Sequence, residues 1–250
     1  MINKIIHGDC LEVMQNIPDS SIDAIITDPP YGTTACKWDS VIPFEPMWEQ
    51  LNRIIKKNGA IVLFGSEPFS SALRMSNIKN YKYDWIWNKK RKTGFLNAKK
   101  RPLVNYENVI VFNCVSYIAQ MKKGKLHQNG QNTKRIKCPT DVYSDFNKVL
   151  YTTDKYYPCS IIDFDNVRPC DYVHPTQKPI ALMEYLICTY TNENETVLDF
   201  TIGSGTTAVA CINTNRNFIG IEKEQKYVDI ANNCIKEALE QRTTAIIQNA

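Results

Sequence analysis

One rhythm constrains this chain more than any single residue. Short apolar runs rich in β-branched residues recur along it: "KIIHG", "DAIIT", "AIVLFG", "YDWIWN", "NVIVFN", "TVLDF" and "NFIGIE". Helical patterns separate many of them, at residues 10–17, 45–56, 67–76, 179–190 (opened by Pro179), 205–213 and 224–240. The last of these carries "YVDIANNCI" as its apolar face. Strands and helices in alternation predict an α/β fold, a doubly wound and mostly parallel sheet wrapped by helices. Seven strands are expected. Residues 114–172 break the rhythm, being rich in Tyr, Asn, Lys, Pro and Thr with only short apolar runs. They read as an inserted lobe, leaving 1–113 and 173–250 as one domain. The final "TTAIIQNA" is expected to fray.

Bulk composition excludes several classes. No apolar run approaches the ~18 residues that cross a bilayer, and the first ten residues lack the apolar core of a secretory signal. A cytoplasmic protein without a membrane partner is expected. The nine cysteines stand singly, with no C-x-x-C pair, so a metal site has no support and reduced thiols are expected. Charge is the informative quantity. Residues 79–137 hold fifteen Lys and Arg against two acids, Asp84 and Glu107, a net +13 that leaves −9 for the rest of a +4 chain. Such segregation points to a polyanionic partner.

Two strand ends carry the candidate chemistry. In "SSIDAIITDPPYGTT" a buried strand stops at Asp28, Pro29, Pro30 and Tyr31. In "ETVLDFTIGSGTTAVAC" a strand is followed by Gly203, Gly205 and a helix start. Glycines there permit positive φ and close approach of a ligand, and the helix start offers free N–H groups. One strand later "NFIGIE" ends in Glu222, placed to accept from ribose hydroxyls. Gly203, Gly205 and Ala208 also satisfy G-x-G-x-x-A, which keeps a nicotinamide-dependent oxidoreductase as a rival. A nucleotide fold normally opens with its glycine loop, whereas this one comes after residue 195. The chain therefore enters its sheet partway through and completes it last.

Together these stretches resemble the S-adenosylmethionine-dependent DNA amino-methyltransferases. "DPPY" is similar to that family's catalytic motif and "LDFTIGSGTT" to its methionine-binding loop; "GDC", "NGAIVLFGSEPF", "HPTQKP" and "NFIGIE" match further elements. Their order resembles the circularly permuted beta group, with the catalytic motif first, the target-recognition region next and the glycine loop last. The resemblance implies a Rossmann-like catalytic and cofactor-binding domain over 1–113 and 173–250, with target recognition in 114–172. It departs at Phe200 and Thr201, where the family often has Pro-Phe after the aspartate, and at Tyr106, where a histidine is expected before Glu107.

The implied roles follow residue by residue. Asp28 and the Pro29 carbonyl would grip the target amine, Pro30 would stiffen the turn, and Tyr31 would stack on the base. Asp9 and Cys10 would meet the cofactor's adenine and Glu222 its ribose. Thr176 and Lys178 would lie at the methionine end, Lys178 pairing with the carboxylate. Asp28, Asp199, Phe200, Thr201, Gly203, Ser204, Gly205, Thr206 and Thr207 would complete that pocket. Trp85 and Trp87 are either pocket walls or core. Lys89, Lys90, Arg91, Lys92, Lys99, Lys100 and Arg101 would hold phosphates of double-stranded DNA. An aspartate opening the motif favours adenine-N6 in this family, and cytosine-N4 is the alternative. A DNA-binding protein that has lost catalysis is a further rival. A monomer or homodimer is expected, with or without a cognate restriction endonuclease.

Overall fold

The structure, a computed structural model, describes residues 1–33, 39–129, 151–166 and 177–248. Contacts divide the chain into a large unit, residues 1–118 with 160–250, and a small one, 119–159. The large unit runs β1 (Lys4–His7), α1 (Cys10–Met14), β2 (Ile22–Thr27), α2 (Phe44–Ile54), β3 (Ile55–Gly65), α3 (Phe69–Ser76), β4 (Tyr81–Thr93) and β5 (Val104–Phe112). The small unit holds β6 (Lys122–Asn129) and β7 (Tyr151–Tyr156), an antiparallel pair in which Tyr156 stacks on His127. The large unit resumes with β8 (Ile161–Asp163), α4 (Ile180–Tyr190), β9 (Thr196–Asp199), α5 (Thr206–Asn213), β10 (Asn217–Glu222) and α6 (Gln225–Gln248).

The main sheet has the order β1-β10-β9-β2-β3-β5-β4-β8. Strands β1, β10, β9, β2 and β3 are mutually parallel, and β5 alone runs against both its neighbours. The sheet thus has eight strands where seven were expected. The extra one is β8, which pairs with β4 at Ile86↔Ile161 and comes from the stretch read as an inserted lobe. Its central Ile162 is buried, but three residues are too few to register as a periodic pattern. At the other end, α6 runs through Gln248 rather than fraying at residue 243. Arg242 anchors it, donating to the Ile212 carbonyl at 2.9 Å and to Asn215.

Alternation along the strands sorts the core into two layers. On one face Ala24, Ile26, Val62, Phe64, Val109 and Val111 meet α4, α5 and the Ala238 turn of α6. On the other, Ile25, Ile61, Leu63, Ile110 and Phe112 meet α1, α2 and α3. Helix α2, after β2, covers the second face, and α5, after β9, covers the first. Yet β2 and β9 are neighbours, at Ala24↔Val197 and Ile25↔Leu198. Their following connections therefore diverge to opposite faces, which opens a crevice beyond the carboxyl ends of the two strands. Asp28 and the loop after Asp199 stand at that crevice.

Candidate active site

Thr27, the last residue of β2, latches the two distant strand ends. Its hydroxyl donates to Asp199 and lies 2.9 Å from Thr201 Oγ1. Thr201 donates in turn to the Asp28 carbonyl at 3.1 Å, fixing the peptide that enters the two prolines. Asp199 also accepts from the Thr207 hydroxyl and, at 3.1 Å, from the Thr201 N–H. Burial pushes its carboxyl up to about 6, against the pull of those donors. Asp199 thus spends its oxygens on the turn. Phe200 is buried beside it and lines the crevice.

The glycines divide the labour. Gly203 (φ 55°) donates its N–H to Glu222 Oε2 at 2.9 Å. Gly205 (φ 86°) does not line the crevice; a Cβ there would sit 3.0 Å from Cα and Cβ of Ala231 in α6. Its freedom serves the turn and the close packing of α6, not ligand approach.

A cavity of about 320 Å³ occupies the crevice. Asp28, Pro29, Pro30 and Tyr31 form one wall, and Thr201, Gly203, Ser204, Thr206 and Thr207 another. Asp9, Cys10 and Glu222 close the far end, and Val41, Ile42 and Pro43 supply an apolar side. Glu222 is anchored by two backbone donors, Gly203 and Glu224, the latter at 2.9 Å. Asp9 caps α1 through Leu11 N–H at 3.0 Å and lies 3.3 Å from Lys223 Nζ. Burial and the neighbouring Asp9 raise the Cys10 thiol to about 11, so it stays protonated.

The deepest charges form an alternating chain. Asp28 accepts from the Tyr31 hydroxyl on Oδ1 and from the Lys178 ammonium on Oδ2. Lys178 Nζ lies 3.5 Å from Glu107 Oε2, and Lys89 donates to Glu107 Oε1. Two carboxylates and two ammoniums thus balance over a floor made by Phe64, whose ring centroid is 5.0 Å from Lys178 Nζ. Burial pulls Lys178 down, but Asp28 and Glu107 outweigh it and the ammonium is held above its ordinary range. Burial pushes Glu107 up, but Lys178 and Lys89 outweigh it and its carboxyl falls below the usual range. For Asp28, burial dominates over Lys178 and Glu107 adds repulsion, so its carboxyl is raised. Burial and Asp28 raise the Tyr31 phenol well above its ordinary value, so it remains a donor. One of its faces stacks on Phe69, at 5.1 Å between centroids.

This geometry corrects two expectations and decides between two readings of a third. Lys178 is 8% exposed and committed to Asp28 and Glu107, so it is not a free cation for a ligand carboxylate. Lys89 is a partner of Glu107 rather than part of an exposed cationic patch. Of the two readings of Trp85 and Trp87, core holds: their indole N–H groups donate to Tyr190 at 2.6 Å and to the Phe164 carbonyl at 2.9 Å. Glu107 was missed. The available signal was its sign, one of two acids in a +13 segment, at the mouth of the apolar run "NVIVF".

The chain matches the N6/N4 DNA methylase family over residues 22–233. It belongs to that family. The type II methyltransferase M.HinfI of Haemophilus influenzae is 29% identical over 94% of this chain and 69% of its own length. M.HpaI of Haemophilus parainfluenzae, also a type II methyltransferase, is 28% identical over 92% of this chain and 73% of its own. The crystal structure of an M1.HpyAVI–SAM complex has a TM-score of 0.60 and 28% identity, covering 92% of this chain and 98% of that one. The cytosine-N4-specific PvuII DNA methyltransferase shares the fold, with a TM-score of 0.64 over 91% of this chain and 84% of its own, at 16% identity.

In this DNA methylase the other cations expected to hold phosphates do not line the cavity. Lys90, Arg91, Lys92, Lys99, Lys100 and Arg101 are exposed along the β4–β5 hairpin, and Lys90 pairs with Asp165 at 2.9 Å. Thr176, with most of "HPTQKP", lies outside the described residues. No described helix is long and apolar enough to cross a membrane.

Proposed function

We propose that this DNA methylase transfers the methyl group of S-adenosyl-L-methionine to the exocyclic N6 amine of an adenine flipped out of double-stranded DNA. One observation carries the reading: Asp28, at the end of β2, shares a single cavity with the loop that follows β9. The donor set suits the cofactor. Asp9 presents a carboxylate oxygen to the adenine end and Glu222 one to the ribose hydroxyls, and Val41, Ile42 and Pro43 offer an apolar wall. Ser204, Thr206 and the N-terminus of α5 offer hydroxyls and N–H groups to the carboxylate of the methionine end, the role Lys178 gives up. When bound, the cofactor supplies an electrophilic methyl group on a sulfonium.

The protein's part concerns the amine. An adenine amine is a poor nucleophile because its lone pair is delocalised into the ring. With one N–H accepted by Asp28 and the other by the Pro29 carbonyl, the nitrogen moves toward tetrahedral geometry. Its lone pair then turns out of the ring plane for direct in-line displacement. Asp28 also offsets the charge growing on nitrogen, a kind of interaction worth roughly 3–4 kcal/mol. Tyr31 and Lys178 aim the two carboxylate oxygens, and the Thr201 hydroxyl steadies the peptide before Pro29. Flipping the base costs a few kcal/mol, drawn from DNA contacts elsewhere. Lys90, Arg91, Lys92, Lys99, Lys100 and Arg101 supply phosphate contacts, and base reading falls to residues within 114–172, including the β6–β7 hairpin.

Aspartate as the opening residue of the motif favours adenine over cytosine-N4. The type II names of two relatives support a place in a restriction–modification system with a cognate endonuclease. Genomic DNA incubated with labelled cofactor and digested to nucleosides decides the target. N6-methyladenine is expected, absent with Asp28→Ala; N4-methylcytosine alone would reverse the choice of base.

A further inference from the structure

The β4–β5 hairpin ends in a feature that phosphate binding leaves unused. Gly94 (φ 91°) opens a 3-10 turn, Phe95–Asn97. The Asn97 carbonyl then accepts from the N–H groups of Lys100 at 2.9 Å and Arg101 at 3.0 Å, so the turn is built rather than slack. At its tip Phe95 is 67% exposed and Leu96 101% exposed. Single exposed apolar residues are ordinary. Two in succession on a fixed turn, with Lys90, Arg91 and Lys92 on one side and Lys99, Lys100 and Arg101 on the other, are not.

The hairpin also points the right way. β4 runs parallel to β2 and β3 through the antiparallel β5, so its carboxyl end lies at the same edge of the sheet as Asp28. Its base is tied to the crevice by the chain Lys89–Glu107–Lys178–Asp28. From Glu107 the paired strands continue to Val104, about 10 Å further at ~3.3 Å per residue, before the turn begins. The register slips between Asn88 and Thr93, where residues 89–92 face Asn105 alone. Lys89, two residues after Trp87, keeps the face of Glu107, while Lys90, Arg91 and Lys92 stay in solvent.

We propose that Phe95 and Leu96 form an apolar wedge that enters the DNA duplex beside the target pair and holds open the gap left by the flipped base. This rests on the reading of the protein as an enzyme acting on a flipped base. A duplex is the occupant that the charge selects: six cations flank the tip, and the interior of a base stack is the apolar surface found within a polyanion. Proteins that open a stack commonly insert such side chains between base steps.

The test uses the full chain and a duplex carrying its methylation site, located by sequencing DNA from cells that express it, with 2-aminopurine at the target for fluorescence and adenine there for rates. The double variant Phe95→Ala/Leu96→Ala is expected to bind S-adenosylmethionine as the unmodified protein does. It should lose most of the fluorescence rise that reports extrusion and methylate the paired duplex at least about tenfold more slowly. A mismatch opposite the target, which lowers the cost of opening, should restore most of the rate. Phe95→Trp/Leu96→Met, which keeps apolar bulk, should stay near the unmodified rate. Equal rates and fluorescence in the alanine variant would overturn the wedge, as would a loss that persists on the mismatched duplex. Dissociation of a homodimer with an unchanged rate would assign the tip to a second copy instead. A protein that binds the cofactor but methylates no DNA removes the parent reading and the wedge with it.

Discussion

Lys178 donates to Asp28 and stands 3.5 Å from Glu107, so one buried ammonium is shared by two carboxylates. The two neighbours push Asp28 in opposite directions, Lys178 downward and Glu107 upward. If methyl transfer needs the Asp28 carboxylate, the acid limb of the rate–pH profile follows its ionisation. Lys178→Met removes the stabilising cation, so the limb should move to higher pH. Glu107→Gln removes a repelling anion, so the limb should move to lower pH. Single-turnover rates across pH check both signs, and shifts in the same direction would break the argument. Lys178→Met should also cost about 3–5 kcal/mol of stability, because it leaves buried acids without a partner.

Asp199 predicts a pH-dependent stability of its own. Its carboxyl is raised to about 6, from 3.8, chiefly by burial. Between those values the folded protein holds a proton that the unfolded chain has released, so stability falls as pH rises from about 4 to about 6. At 1.36 kcal/mol per pH unit the fall approaches roughly 3 kcal/mol. Asp199→Asn has no such proton. Urea denaturation at several pH values should show the variant gaining on the unmodified protein across that window, then running parallel above it.

The sheet was legible because its strands bury both faces: "AIVLFG" and "NVIVFN" feed two core layers with alternate residues. The late glycine loop and early "DPPY" implied that β9 lies beside β2, and it does. What stayed hidden depended on pairings that periodicity does not carry. Lys89 reads as one more lysine in "NKKRK"; only the pairing of Trp87 with Glu107 shows that Lys89, two residues on, shares the face of that acid. Lys178 in "HPTQKP" reads as a cation for the cofactor's carboxylate, and its commitment to Asp28 joins residues 150 positions apart. Asp199 was legible as a pocket residue but not as an acceptor consumed by Thr27 and Thr207.

Gly205 and Gly94 separate backbone strain from steric contact. Both have positive φ, 86° and 91°. A Cβ on Gly205 meets Ala231 at 3.0 Å, whereas one on Gly94 meets nothing within 4 Å. Gly94→Ala should therefore cost only the left-handed penalty, about 1–2 kcal/mol. Gly205→Ala should add overpacking against α6, for roughly 2–4 kcal/mol in all. Denaturant unfolding of the two variants measures the difference, and equal losses would mean α6 yields without cost.

The basic hairpin residues split by their response to salt. Lys99, Lys100 and Arg101 are exposed and pair with no described acid, so each is free to neutralise a DNA phosphate. Removing the charge of any one should reduce the slope of log affinity against log salt by about 0.9. Lys89 is held by Glu107 with only 17% of its side chain exposed, so it neutralises no phosphate and releases no counterion. Lys89→Gln should leave the salt slope unchanged and instead lower the methylation rate, because Glu107 then draws Lys178 away from Asp28. Lys99→Gln/Lys100→Gln should do the reverse, weakening DNA binding at low salt while saturated turnover persists. DNA-binding titrations at several salt concentrations, set beside saturated turnover, distinguish the two classes. A reduced slope for Lys89→Gln would return Lys89 to the phosphate-binding set.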